Sequence, residues 1–179
     1  MKIIDISQPL FEASIYPGDT PPKFTRVKTI SKDTYNLTDI SMCVHNGTHI
    51  DAPFHFLKNG VGVDKLPLDV FYGECVVQKW SGNIPQNCER LLIKGEHIIT
   101  AEDANLLVKS GVRLVGVESQ SVGDPNSQAE VHRILLNCGI VLLEGLVLKD
   151  VEFGEYTLSA FPLNLGKCDG SPVRAVLIK

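Results

Sequence analysis

The sequence predicts an α/β protein with one mixed β-sheet and a strand-rich first half. Short apolar runs bounded by Gly, Pro and Asn recur through the first hundred residues, which is typical of strands. Two capped helical segments then alternate with buried apolar runs, as in α/β folds. No repeat, linker or shift in composition divides the 179 residues, so we expect one domain over residues 1–179.

The first half contains five predicted strands and one conspicuous turn. Residues 2–7 alternate and are rich in isoleucine. A Pro-Gly-Asp loop follows at residues 17–19, and Pro21 and Pro22 come directly after it. Further strands are predicted at residues 25–30, 37–45, 76–80 and 91–94.

The second half alternates helix and strand. Thr100 is a predicted N-cap with Asp103 at the third helical position, and Gly111 ends that helix. A second capping box begins at Ser127, and Gly139 stops the helix that follows. The predicted strands are residues 113–117, 140–148, 157–165 and 172–178.

Composition excludes several classes of function. Lys and Arg number 17 against 21 Asp and Glu, a net charge of −4, which argues against nucleic acid or an anionic membrane as the partner. No apolar stretch approaches the roughly 20 residues of a membrane span, and the N-terminus lacks a secretory pattern. The five cysteines form no Cys-x-x-Cys pair, so neither disulfides nor a thiolate zinc site is expected. We therefore expect a cytoplasmic protein.

Residues 45–55 carry the strongest functional signal, with the sequence HNGTHIDAPFH. Three of the five histidines of the chain lie in this window. His45, His49, Asp51 and His55 all occupy odd positions, which share one face of an extended segment. Three imidazoles and a carboxylate on one face can bind a divalent metal such as zinc. Cys43 shares the same parity but is interpreted as a core residue.

Two further residues are candidates for a second metal position. Glu144 interrupts the apolar run at residues 140–148, and a carboxylate in a buried strand is costly unless it is paired or bound to metal. His132 lies beside the apolar stripe of the second helix. Together with Asp51 they can complete a two-metal site, a recurrent hydrolytic arrangement. Each has a simpler interpretation, Glu144 as an edge residue in water and His132 as a packed histidine; His97 is interpreted as a surface residue.

These residues resemble a known family. Residues 45–55 match the signature His-x-Gly-Thr-His-x-Asp-x-Pro-x-His of the cyclase-like metal-dependent hydrolases, whose best-known members are bacterial kynurenine formamidases. The resemblance covers nearly the whole chain, including residues 5–10, 16–19, 121–125 and 171–175. The sequence departs from the formamidases at Tyr16, where they tend to have Trp, and at residues 116–121.

The resemblance implies a fold, a ligand set and an assembly. The fold would be a swivelling β/β/α domain in a homodimer or larger homo-oligomer. One metal would be bound by the positions of His45, His49 and Asp51, and a second by those of Asp51, His132 and Glu144. His55 would be the catalytic histidine. Zinc is common in the family, and manganese serves some members.

The leading hypothesis is therefore metal-assisted hydrolysis of a small-molecule amide, with N-formyl-L-kynurenine as the expected substrate. His55 would take a proton from the attacking water and return it to the leaving amine. Hydrolysis of a cyclic amide, lactam or imide, as in isatin hydrolase-like members, is an alternative, and so is a non-catalytic protein with a structural ion. Candidates for packing an aromatic substrate are Tyr16, Phe54, Phe56 and Trp80.

Overall fold

Nine of the eleven strands form one mixed sheet in the computed structural model, which describes residues 1–179. Along the chain the strands of this sheet are β1 (Ile3–Asp5), β4 (His49–Asp51), β5 (Tyr72–Gln78), β6 (Arg90–Ile93), β7 (Leu114–Val117), β8 (Val141–Glu144), β9 (Gly154–Ser159), β10 (Gly170–Pro172) and β11 (Val176–Ile178). Their order in the sheet is β1-β11-β9-β5-β6-β7-β8-β4-β10, and the pairs β5–β6, β6–β7 and β7–β8 are parallel.

The other two strands and the helices lie outside this sheet. Strands β2 (Lys23–Lys28) and β3 (Leu37–Ser41) form a separate antiparallel hairpin, joined by the short helix α1 (Ile30–Asp33). Helices α2 (Ala101–Ser110) and α3 (Gln128–Asn137) follow β6 and β7. The α/β class with a strand-rich first half is thus confirmed. None of the helices has the length and the apolar character that spanning a membrane requires.

Two apolar clusters lie on opposite faces of the parallel strands. Neighbouring residues such as Leu142 and Leu143 belong to different clusters because successive side chains of a strand point to opposite faces. The cluster of 15 buried residues packs beneath α2 and α3. The cluster of 20 joins Ile50 of β4 to Leu177 of β11, which lie far apart in strand order, so the sheet curls around it.

The two predicted capping boxes have different outcomes. The Thr100 box is confirmed, since its hydroxyl accepts the Asp103 N–H at 3.2 Å and the Asp103 carboxylate accepts the Thr100 N–H at 3.1 Å. The Ser127 box is wrong, although its helix exists. Ser127 has φ −107° and ψ −17°, and its hydroxyl donates to the Asp124 carboxylate at 2.9 Å instead of accepting from the helix. Asp124 therefore organises the turn that leads into α3.

Several predicted strands are shorter than expected. The strand predicted at residues 37–45 ends at Ser41, because a turn begins before His45. The strand predicted at 140–148 ends at Glu144, because Gly145 has φ 69° and turns the chain. Likewise the strand predicted at 172–178 divides into the end of β10 and β11. Glu144 is consequently the last residue of its strand rather than an interruption in its middle.

Candidate metal centre

The sheet register brings His49 and Glu144 together. Strand β4 lies between β8 and β10, and His49 is directly opposite Glu144 in the antiparallel pair with β8. The His49 Nε2 atom lies 3.3 Å from Glu144 Oε2 and 3.5 Å from Asp51 Oδ1. His49 and Asp51 are two residues apart, so they share one face of β4. All three side chains are at most 2% exposed.

The prediction of one extended segment over residues 45–55 is wrong, although its side chains do converge. Only His49–Asp51 is a strand. His45 lies in a turn that ends at Gly47, which has φ 65°, and His55 lies in a 3₁₀ turn that begins at Pro53. His45 Nδ1 nevertheless lies 2.8 Å from Asp51 Oδ1, and the rings of His45 and His55 are 4.0 Å apart. Two turns, rather than strand alternation, place the outer histidines.

His132 completes the cluster from helix α3. Its Nε2 lies 3.3 Å from Asp51 Oδ2 and 3.5 Å from Glu144 Oε1, and the side chain is 1% exposed. Its Nδ1 donates to the Gln128 carbonyl at 2.7 Å. The structure therefore brings together all six residues selected from the sequence. Two sets of three residues could each hold a metal ion, because within each set the potential ligand atoms lie within 4.8 Å of one another. The sets are His45–Asp51–His55 and His49–Asp51–Glu144, and they share Asp51.

The hydrogen bonds test whether these residues fit a metal. A carbonyl only accepts, so His49 Nδ1, which lies 2.9 Å from the Gly47 carbonyl, and His132 Nδ1 both carry hydrogens. In neutral rings both Nε2 lone pairs then face the carboxylates of Asp51 and Glu144. Asp51 Oδ2 is buried and has no hydrogen-bond partner. Lone pairs that converge in a buried space require positive charge between them, and this donor set suits zinc or manganese.

The carboxylates and imidazoles of the cluster shift one another's pKa values in the way expected of a site that attracts positive charge. Burial disfavours protonation of His45, yet Asp51 and Asp169 outweigh it and raise its pKa to about 9. Burial likewise opposes the charged form of His132, but Asp51 and Glu144 raise its pKa to about 10. Burial favours the neutral form of Asp51, yet the imidazoles of His132 and His45 beside it hold its pKa well below the usual value. The site is thus a negative field that binds protons or a cation.

His55 differs from the other imidazoles. Burial and the neighbouring His45 and His132 lower its pKa, against the opposing effect of Asp51. Its side chain is 27% exposed, whereas those of His49 and His132 are 1% exposed. It is therefore the histidine of the cluster best able to accept a proton at neutral pH and to meet a molecule that enters from solvent.

Asp169 is the residue that the sequence analysis missed. Its Oδ2 lies 2.9 Å from His45 Nε2 and 3.2 Å from His55 Nδ1. The available signal was a carboxylate directly before Gly170, a few residues ahead of the strand predicted at residues 172–178. That signal is weak, because only the pairing of β10 with β4 brings Asp169 to the histidines.

The backbone around Glu144 is held by Thr48 and glycines. The Thr48 hydroxyl donates to the Gly145 carbonyl at 2.6 Å and accepts the Gln8 N–H at 2.9 Å. A Cβ on Gly145 would lie 2.5 Å from the Gly47 carbonyl oxygen. Gly145 therefore permits the segment that follows Glu144 to lie against the Gly47 backbone, and Thr48 fixes that segment.

Of the aromatic candidates, Phe56 contacts the cluster. Its ring stacks on His132 with centroids 4.2 Å apart and meets His55 edge-on at 4.5 Å. Trp80 instead donates to Asp103 at 2.9 Å and stacks on His97, which is half-buried rather than fully on the surface. Phe54 is exposed.

Tyr16 belongs to a separate polar network beside helix α3. Its hydroxyl donates to the Gln128 side chain at 2.9 Å, and the Ser121 hydroxyl donates to the same oxygen at 3.1 Å. Gln120 also donates to the hydroxyl of Ser14, two residues before Tyr16. The two regions where the sequence departs from the formamidase pattern are therefore connected through Gln128.

Comparisons with known proteins agree with this geometry. Residues 4–105 match the model of the family described as "Putative cyclase". The chain is 39% identical to kynurenine formamidase from Geobacillus thermodenitrificans (strain NG80-2), over 98% of this chain and 97% of that protein. It is similar to the solved structure of a potential metal-dependent hydrolase with cyclase activity, with a TM-score of 0.84, 27% identity and coverage of 98% and 96%. Isatin hydrolase A from Labrenzia aggregata shares the fold, with a TM-score of 0.82 and 22% identity over 98% of this chain and 93% of that one.

Proposed function

Because this chain belongs to the Cyclase family of metal-dependent hydrolases, we propose that it hydrolyses an amide bond with the help of a bound divalent metal. The substrate we propose is N-formyl-L-kynurenine, which water cleaves to kynurenine and formate. The observation that carries the proposal is the buried Asp51 carboxylate: its unpartnered Oδ2 lies 3.3 Å from His132 Nε2 and its Oδ1 lies 3.5 Å from His49 Nε2, and backbone carbonyls orient both imidazoles. A full-length relative named as a kynurenine formamidase supports the choice of substrate.

Zinc is the proposed metal, with manganese as the second candidate, in one or two ions. The residues that would hold it are His45, His49, Asp51, His132 and Glu144, which offer imidazole nitrogens and carboxylate oxygens. A divalent ion there would supply a Lewis acid for the amide carbonyl and a water of lowered pKa. The protein contributes a buried, negatively charged pocket whose imidazoles are held in fixed tautomers.

His55 is the proposed general base and acid. It accepts a proton from the attacking water and then donates a proton to the leaving nitrogen, so that the amine departs neutral. Its half-exposed position and lowered pKa support this role over that of a metal ligand. Phe56, packed against both His55 and His132, gives the substrate ring an apolar neighbour.

Hydrolysis of a cyclic amide of the isatin type is the second candidate. The observation that favours it is the polar network of Tyr16, Gln128 and Ser121, which joins the two segments that depart from the formamidase pattern. The Tyr16 hydroxyl and the Gln128 amide make the region beside helix α3 more polar than it would be with Trp at position 16. The shared fold with isatin hydrolase A is compatible with either substrate.

A homodimer or larger homo-oligomer is also part of the proposal. Hairpin β2–β3 exposes the apolar side chains of Phe24, Val27, Leu37 and Ile40, each 44% exposed or more. An isolated two-stranded hairpin is marginally stable in water, and exposed apolar surface of this kind marks contact sites. A second copy of the chain would cover it. Light scattering on the wild type and on Phe24→Asp tests this, and a monomeric wild type would contradict it.

We further propose that residues 1–179 act as one hydrolase domain in the cytoplasm. One sheet incorporates strands from Ile3 to Ile178, which supports a single unit. All five cysteines are free thiols, which suits a reducing compartment.

The decisive experiment combines elemental analysis with two substrate assays. Purified protein is assayed on N-formyl-L-kynurenine and on isatin as isolated, after chelation, and after reconstitution with zinc or with manganese. We expect one to two ions per chain, loss of hydrolysis on chelation, and recovery on reconstitution. Faster turnover of isatin would favour the second candidate. A metal-loaded protein that hydrolyses neither compound would contradict both.

A further inference from the structure

Asp169 connects two histidines that the proposed mechanism uses for different purposes. Its Oδ2 accepts from His45 Nε2 at 2.9 Å and from His55 Nδ1 at 3.2 Å. His45 is a proposed metal ligand, and His55 is the proposed base. The imidazole rings of these two residues are 4.0 Å apart and tilted by 33°, so a single carboxylate oxygen spans both.

The backbone of Asp169 is fixed to the strand that bears the other ligands. Its carbonyl accepts the Ala52 N–H at 2.8 Å, and the next residue, Gly170, pairs with Asp51 in the β10–β4 ladder. A Cβ on Gly170 would lie 2.7 Å from the His45 ring and 2.7 Å from the Ile50 carbonyl oxygen, so glycine permits this close approach. These contacts use only backbone atoms, and the carboxylate can therefore be altered while the pairing remains.

A carboxylate at this position determines which nitrogens carry hydrogen. An ionised carboxylate only accepts, so both ring nitrogens that face Asp169 must be N–H donors. In the neutral ring, His55 then has its lone pair on Nε2, away from Asp169. Both nitrogens of His45 face carboxylate oxygens in the metal-free protein, Nδ1 at 2.8 Å from Asp51 and Nε2 at 2.9 Å from Asp169, so both carry hydrogen there. A cation bound between Asp51 and His45 would take the place of the Nδ1 hydrogen, and Asp169 would keep the hydrogen on Nε2. The same oxygen thus selects the basic tautomer of His55 and, once the Nδ1 hydrogen is lost, the ligating tautomer of His45.

We propose that Asp169 is a positioning residue that holds His55 in the orientation of a general base and His45 in the orientation of a metal ligand. This inference rests on the proposed function for its effect on turnover but not for its effect on tautomers or metal affinity. Carboxylates that support a ligating histidine typically contribute 10- to 100-fold, in order of magnitude, to metal affinity or activity.

Asp169→Asn tests the proposal because it keeps size while removing the negative charge and exchanging one acceptor oxygen for an N–H₂ donor, so that only a neutral amide oxygen can still accept an imidazole hydrogen. Asp103→Asn is the matched control, since Asp103 accepts from His97 Nε2 at 2.9 Å outside the site. At saturating metal we expect Asp169→Asn to lower kcat by about 10- to 100-fold with KM changed by less than about threefold. Asp103→Asn should leave kcat unchanged per folded molecule. Asp169→Glu should recover part of the loss.

Two readouts do not depend on turnover. Nitrogen NMR of the metal-free protein should show His55 with hydrogen on Nδ1 in the wild type, and loss of that preference in Asp169→Asn. Chelator competition with zinc should show about 10- to 100-fold weaker binding in Asp169→Asn and unchanged binding in Asp103→Asn. The double variant Asp169→Asn/His55→Ala should have the same kcat as His55→Ala, because Asp169 affects turnover through His55.

A failure of the proposed function can be distinguished from a failure of the role proposed for Asp169. An inactive wild type would contradict the proposed function, and the NMR and zinc measurements would still test Asp169. If Asp169→Asn keeps the kcat of an active wild type, or keeps the His55 tautomer and the zinc affinity unchanged, the positioning role is overturned while the proposed function stands.

Discussion

Replacing Gly145 with alanine should disturb the proposed metal centre without altering any proposed ligand. Gly145 follows Glu144, has φ 69°, and accepts hydrogen bonds on its carbonyl from Gln8 and Thr48. A Cβ there would lie 2.5 Å from the Gly47 carbonyl oxygen and 3.0 Å from the Gln8 side-chain nitrogen. The obstructing Gly47 atom is backbone of the segment that leads to His49, so it cannot move alone.

The expected loss in the free energy of unfolding has two parts. A left-handed backbone costs a residue with a Cβ about 1–2 kcal/mol. Overpacking against a fixed neighbour typically adds about 1–3 kcal/mol. Gly139→Ala isolates the first part, because Gly139 has φ 76° but nothing within 4 Å of its added Cβ. The free energy of unfolding should therefore fall by about 2–5 kcal/mol in Gly145→Ala and by about 1–2 kcal/mol in Gly139→Ala.

Urea unfolding of the chelated proteins measures this difference without a contribution from the metal. A difference of 1 kcal/mol corresponds to roughly 2–4 °C in Tm for a chain of this size, so thermal melts provide a second measurement. Zinc affinity should fall in Gly145→Ala, because the clash is relieved by moving Glu144 or the Gly47–His49 segment, and should be unchanged in Gly139→Ala. Equal destabilisation of the two variants, with equal zinc affinity, would refute the steric argument.

The remaining predictions concern the proposed metal ligands, the proposed base His55, the release of protons on zinc binding, and the capping box of helix α2. His49→Ala should lose metal and activity together, whereas His55→Ala should keep its metal and lose about 10²- to 10⁴-fold in kcat; elemental analysis beside kinetics separates them, and equal metal loss would make His55 a ligand. Glu144→Gln should lower the number of ions per chain, measured by mass spectrometry of metals, and an unchanged count with unchanged activity would remove it from the site. Because the pKa of His132 is raised to about 10 in the metal-free protein, zinc binding at neutral pH should release protons and weaken as pH falls; calorimetry in buffers of different ionisation enthalpy measures the release, and none would contradict it. Asp103→Ala should lower the free energy of unfolding by about 1 kcal/mol through loss of the carboxylate that completes the Thr100 capping box. Since the pKa of Asp103 is lowered by its hydrogen bonds to Thr100, its contribution is present above about pH 4 and lost as pH falls, so wild type and variant should converge in acid.

The sequence by itself predicts those features that depend on contacts within one short segment. The Thr100 box and the Gly111 end of α2 were predicted, because caps depend on hydrogen bonds within a few residues. The ligand types in residues 45–55 were also evident, and so was the anomalous Glu144. These signals identify groups that need a cation, since carboxylates are expensive in an apolar run.

The tertiary structure decided how those groups meet. The register of β4 against β8 places Glu144 opposite His49, and the register of β10 against β4 brings in Asp169, neither of which local patterns encode. The extended segment expected over residues 45–55 is replaced by two turns, because positive φ at Gly47 and the 3₁₀ turn at Pro53 bend the chain toward β4. The residue types within a short window determine which chemical groups are available there. The strand register, by contrast, depends on which pairing buries the apolar face of a sheet that distant segments build together.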